Sequence, residues 1–163
     1  MEKQNYTTQM DAARKGILTP QMKIVAEKEF MDENQLMKLV AEGKVAIPAN
    51  KAHKCLNPEG IGSMLRTKIN VNLGVSRDCK DYGIEMEKVM SAVNMGAEAI
   101  MDLSSHGNTQ PFRQKLTSEC PAMIGTVPVY DSVIHYQRDL ATLTAKDFID
   151  VVRLHAEDGV DFV

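Results

Sequence analysis

Residues 67–73 alternate strictly, with Ile69, Val71 and Leu73 set against Lys68, Asn70 and Asn72, and Gly74 ends the run. A period of two is that of a strand with one buried face. Downstream the period lengthens: Met86, Val89, Met90, Val93 and Ala97 recur at helical intervals with Gly96 near the end, so residues 85–97 read as a helix with one apolar stripe. Residues 99–103 and 122–127 are short apolar runs, predicted as a second and a third strand, the latter closed by Pro128. Between them a helix is expected over 109–118, starting at Asn108 or Thr109. Residues 130–137 read as a short helix. Thr144 and Asp147 form a capping box before a helix over 145–157, which Gly159 ends ahead of a fourth strand candidate at 160–163. Strands and helices in this alternation predict parallel pairing with right-handed crossovers.

The first 43 residues carry helix signals instead. Thr8 and Asp11 open a short helix that Gly16 closes, and Thr19-Pro20 places a cap and an N1 proline before a helix over 21–30. Asp32 with Gln35 reads as a capping box, and Gly43 should end the helix that follows. Residues 44–47 form a short strand candidate broken by Pro48, and 49–62, rich in Asn, Pro, Gly and Lys, read as an ordered loop. The chain therefore divides into residues 1–62, an N-terminal helical region and loop, and 63–163, three to four β/α units. The expected fold class is α/β. Four parallel strands could close as a doubly wound domain, but a chain whose last residues form a strand reads as the first half of a (β/α)8 barrel, with an unpaired edge that favours a homo-oligomer.

Composition narrows the function. With 44% hydrophobic and 25% charged residues the chain is of the ordinary globular class, and a formal charge of -3 supplies no basic field for nucleic acid or an anionic membrane. No apolar run approaches the roughly 18 residues of a membrane span, and the polar start has no signal-peptide core, so a cytoplasmic protein is expected. Cys55, Cys79 and Cys120 are odd in number and far apart, which predicts free thiols, and His53, His106, His135 and His155 have no ligand spacing. No metal site can be assembled from local sequence.

Parallel β/α folds place their chemistry at the carboxyl ends of the strands. That rule selects Asn70, Asn72 and Gly74, then Met101, Asp102 and Ser104, then Thr126 and Tyr130. Asn72, Met101 and Tyr130 are evenly spaced, one β/α unit apart, and are expected at one height. Asparagine amides suit a small polar heterocycle, and Lys68 could pair with a carboxylate inside the barrel, Asp102 among the candidates; a structural network or a solvent-facing strand accounts for the same pattern. Tyr130 suits ring stacking, phosphate binding or plain packing. His53 and His106 fall in loops where solvation would suffice, and the methionines read as core filler. From the residues alone this is a barrel-type enzyme with a polar ligand and no assignable reaction.

Several stretches taken together carry a resemblance: Thr8-Gln9-Met10 with Ala13-Arg14-Lys15-Gly16-Ile17, Ile47-Pro48-Ala49-Asn50, Lys68-Ile69-Asn70-Val71-Asn72-Leu73-Gly74, Met101-Asp102-Leu103-Ser104, Gly125-Thr126-Val127-Pro128-Val129-Tyr130 and Gly159-Val160-Asp161-Phe162. In this order the chain resembles the phosphomethylpyrimidine synthase family, radical S-adenosylmethionine enzymes of thiamine biosynthesis, over nearly its whole length. The resemblance implies a (β/α)8 barrel acting on 5-aminoimidazole ribotide, with Asn72, Met101 and Tyr130 as substrate contacts. It also implies S-adenosylmethionine, a [4Fe-4S] cluster and a divalent metal in the full-length enzyme, the metal and cluster ligands lying beyond Val163, so that this chain alone binds none of them and is inactive. Asn70-Val71-Asn72-Leu73-Gly74-Val75-Ser76-Arg77 and Ser104-Ser105-His106-Gly107-Asn108 depart from the usual family pattern in ways similar to the paralogous 5-hydroxybenzimidazole synthases, which take the same ribotide toward a cobamide lower ligand. A non-catalytic small-ligand-binding domain is the reading from a different class.

Overall fold

The structure, a computed structural model, describes residues 5–163, which fall into two compact units: one drawn from residues up to 49 and from 58–68, the other from 50–57 and 69–163.

In the first unit α1 (Gln9–Arg14), α2 (Pro20–Lys28) and α3 (Glu33–Ala41) each begin at a side-chain cap. Thr8 accepts from the Asp11 amide, Thr19 from Met22, and Asp32 from Asn34 and Gln35. At Asp32 the expected box is one-sided: Gln35 sends its side-chain amide to the Met64 sulfur rather than back to the cap. Gly43 takes a left-handed φ of +73°, which ends the helix. Met22, Val25, Leu36 and Val40 form the shared core, at most 1% exposed. β1 (Val45–Ala46) pairs antiparallel with β2 (Ile61–Gly62), a partner the loop-like composition of 49–62 concealed. Lys68 corrects the barrel-interior expectation, because its ammonium lies 2.5 Å from Glu29, both side chains at most 5% exposed. The sheet strand begins two residues later, at Asn70.

The second unit contains the β/α alternation. β3 (Asn70–Leu73), β4 (Ala99–Asp102) and β5 (Met123–Thr126) form a parallel sheet in that order, with α4 (Tyr82–Asn94) joining the first two and α5 (Gln110–Glu119) the next. α6 (Pro128–Tyr136) packs on α7 (Ala145–Glu157), whose Thr144–Asp147 capping box is reciprocal as expected. The register aligns Val71, Ile100 and Ile124 on one face, where the core with Val89, Phe112 and Leu116 buries Ile100 and Ile124 fully and Val71 in part. This stripe supplies the period-two signal. The fourth strand candidate is reduced to one parallel bridge between Gly125 and Phe162, reinforced by the Asp161 and Phe162 amides on the Ile124 carbonyl. The fold shown is thus a mixed α/β unit with a small parallel sheet.

Candidate functional site

Because successive strand residues face opposite sides, the register that buries Val71, Ile100 and Ile124 turns Asn70, Asn72, Met101 and Gly125 to the other face. Asn72, Met101 and Gly125 lie side by side in one row. The Asn70 amide donates to the Asn72 side-chain oxygen at 3.1 Å, which orients the Asn72 amide group while both side chains stay exposed. This face has the donors and acceptors that a flat polar ring needs.

Tyr130 is not in that row. Its even spacing from Met101 is a coincidence of loop length: the residue in register with Met101 is Gly125, and Tyr130 stands in the first turn of α6, 51% exposed. The structure therefore brings Asn72 and Met101 together and leaves Tyr130 on a neighbouring element.

The loops beyond the strands are tied to one another. Asp102 is buried on the helix side, where its carboxylate accepts from the Ser104 amide at 2.9 Å and from the Ser104 hydroxyl at 2.5 Å. Burial pushes its pKa up, and the Ser104 bonds only partly offset this. The Ser104 oxygen accepts in turn from the Val75 amide at 2.9 Å, linking the loop after β4 to the loop after β3. Gly74 is required at this junction, since at φ +144° a Cβ would press on the Ser104 amide. Glu85, 1% exposed, accepts from the Gly74 amide and pairs with Lys88.

Behind the sheet lies a buried charged network that sequence reading missed. Arg113 bridges Asp131 (3.2 Å) and Asp158 (2.9 Å), and Asp131 also accepts from Thr109 and from His155 Nε2, whose Nδ1 meets the Thr126 hydroxyl at 2.8 Å. Burial opposes ionisation of Asp131, yet the His155 and Thr109 bonds and the Arg113 charge hold its pKa down to about 2. Thr109 thus spends its side chain on Asp131 and does not cap α5. The signal available was charged residues at helical spacing, which reads equally as a solvated face. His106 and His135 line a cleft of about 580 Å3 in front of this network.

His53 overturns the expectation of a solvated loop histidine, being 4% exposed and fully engaged. Its Nδ1 is 2.7 Å from Asp161 and its Nε2 is 2.7 Å from the Cys120 carbonyl. A carbonyl only accepts, and the Asp161 carboxylate already accepts from the Asn50 and Ile124 amides, so both ring nitrogens donate and the ring is an imidazolium. Burial alone would lower its pKa, but the Asp161 bond and charge outweigh it and the net direction is upward.

The thiols do not suit an iron–sulfur cluster. Cys55 donates to the Cys120 carbonyl at 3.2 Å, Cys79 donates to Glu85 at 3.1 Å, and burial pushes the Cys120 thiol up to about 11. Ligation needs clustered thiolates. Among the described residues no three His, Cys, Asp or Glu side chains are gathered to hold a metal, and no helix is long and apolar enough to cross a membrane.

Against known proteins, residues 8–163 match the model of the Radical SAM ThiC family. The chain is 63% identical over 158 residues to the phosphomethylpyrimidine synthase of Alkaliphilus oremlandii, covering 97% of this chain and 36% of that protein. It is 59% identical over 159 residues to the enzyme of that name from Clostridioides difficile, covering 98% and 37%, and 60% identical over 159 residues to that of Clostridium novyi, covering 98% and 36%. The chain thus spans a little over a third of the length of these relatives. A family match across nearly all of the chain means that the chain belongs to the Radical SAM ThiC family.

Proposed function

We propose that this chain is the N-terminal part of a phosphomethylpyrimidine synthase, a cytoplasmic radical S-adenosylmethionine lyase that rearranges 5-aminoimidazole ribotide to hydroxymethylpyrimidine phosphate. Its three β/α units form the first half of a (β/α)8 barrel whose interior is the face of β3–β5 opposite α4 and α5. The observation that carries this reading is the Asn72–Met101 row, amide beside thioether at the strand ends, in a chain about 60% identical to synthases of that name. Asn72, Met101 and Tyr130 contact the ribotide. The enzyme works as a homo-oligomer and does not act on nucleic acid or at a membrane. S-adenosylmethionine, the [4Fe-4S] cluster and a divalent metal serve the full-length enzyme through residues outside this chain.

The residues of this chain bind and orient. The Asn70–Asn72 bond leaves the Asn72 amide nitrogen free to donate to a ring nitrogen, and the Asp102–Ser104 tie holds the two strand-end loops around the ring. In the full-length enzyme Asn72→Ala is expected to weaken ribotide binding by roughly 1–3 kcal/mol, because a bound polar group loses its partner. Calorimetry checks this; unchanged affinity in a folded variant removes Asn72 from the site. A second reading, 5-hydroxybenzimidazole synthase, rests on the departures from the family pattern within residues 70–77 and 104–108. Mass analysis of the product formed from ribotide separates a pyrimidine from a benzimidazole.

A further inference from the structure

Phe162 stands in register with Gly125, and Gly125 with Met101 and Asn72, so four successive chain segments contribute one residue each to a single row. Parallel bridge partners point to the same face, which places the Phe162 ring with Asn72 and Met101 on the side opposite α4 and α5. Gly125 makes this possible. A Cβ built there would overlap ring atoms Cε2 and Cζ of Phe162, so the ring lies where a Gly125 side chain would stand and leans toward Met101. Adjacent strands are about 4.8 Å apart, so without the glycine the ring would be displaced from Met101 by about that spacing.

The segment bearing Phe162 is pinned from both sides. Asp161 accepts from the Ile124 amide of β5 and from His53, while the Asn50 side chain donates to the Ala156 and Val160 carbonyls at 2.7 and 2.8 Å. The His53–Asp161 pair is completely buried and holds the backbone one residue before Phe162. An aromatic ring is thereby presented, with little freedom, beside the amide and thioether of the row.

We propose that Phe162 is the aromatic wall of the ribotide site, packing on the imidazole ring, and that His53 and Asp161 are its positioning residues. This rests on the reading of the Asn72–Met101 row as the ribotide site. The contact is to the heterocycle and not to the sugar phosphate, since the neighbours of the ring in the row are one amide and one thioether and carry no charge.

The test uses the full-length enzyme and calorimetry with two probes, 5-aminoimidazole ribotide and ribose 5-phosphate, beside steady-state kinetics. Phe162→Ala is expected to weaken ribotide binding roughly tenfold through loss of ring contact while leaving ribose 5-phosphate within about twofold, and Phe162→Tyr to restore ribotide binding. Gly125→Ala, which displaces the ring without altering it, should give the ribotide loss of Phe162→Ala. His53→Gln should raise KM with kcat within about twofold, and should add little to Phe162→Ala in the double variant, because it acts through that ring. If Phe162→Ala does not fold, Phe162→Leu keeps the bulk and removes only the aromatic face. Equal ribotide affinity in wild type and in a folded Phe162→Ala or Phe162→Leu variant overturns the aromatic wall; full additivity of His53→Gln with Phe162→Ala overturns the positioning role. A wild-type enzyme that binds no ribotide instead overturns the functional reading beneath both.

Discussion

Arg113→Ala is expected to destabilise the chain by about 3–5 kcal/mol, the cost of removing one partner from a buried ion network and leaving the others uncompensated. Arg113 is 3% exposed and is the cation shared by Asp131 and Asp158, whose side chains are 12% and 6% exposed. Truncation leaves Asp131 to Thr109 and His155, and Asp158 to the Gln110 and Gln114 side chains, without the guanidinium the two carboxylates share. Urea unfolding followed by circular dichroism measures the loss; a change below about 1 kcal/mol would mean that water reaches and solvates both carboxylates. The pH dependence has a defined sign. Asp131 is held at about 2 against an ordinary 3.8, so its contribution of roughly 2 kcal/mol is present above pH 3.8 and lost as pH falls toward 2. In Arg113→Ala that acid-limb loss should shrink, because the carboxylate has lost part of what kept its proton off.

Asp161→Ala should produce a comparable loss, about 3–5 kcal/mol, for a different reason. The Asp161 carboxylate is the common acceptor for the Asn50 amide, the Ile124 amide and the His53 ring, each within 2.8 Å, and its removal strands all three donors. The pH profile carries the diagnosis. With its folded pKa raised above 6.5, His53 adds stability that is complete below pH 6.5 and is lost as pH rises through the folded value. Without Asp161 only burial and the Cys120 carbonyl remain, burial dominates, and the folded pKa falls below 6.5. Stability should then be lost as pH falls rather than as it rises. Urea midpoints taken between about pH 6 and about pH 9 should decline in the wild type and not in the variant. Parallel profiles would show that His53 is not the imidazolium its two acceptors require.

Local chemistry was legible in the sequence wherever one residue's own properties decide the outcome. Thr8, Thr19, Asp32 and Thr144 cap the helices expected of them, and the runs 67–73, 99–103 and 122–127 each contain one of the parallel strands, the first of them starting three residues late at Asn70. A cap or an alternating run is a contest between neighbours in the chain, so pattern suffices. The adjacency of Asn72 and Met101 was legible too, because strand ends in β/α units are adjacent by construction. What failed were inferences requiring distance in space. Tyr130 was placed at the height of Met101 by counting along the chain, but register is set by sheet pairing, which chose Gly125. Lys68 was offered to a carboxylate within the sheet, and a helix glutamate claimed it. His53 looked solvated among loop residues because its partners, Asp161 and the Cys120 carbonyl, lie far away in sequence. The side of β3 on which Asn70 and Asn72 stand could not be read from periodicity, which gives two faces and no inside. Only the docking of α4 and α5 on Val71, Ile100 and Ile124 decided it, since burying that apolar face leaves the amides, Met101 and the Phe162 ring on the other.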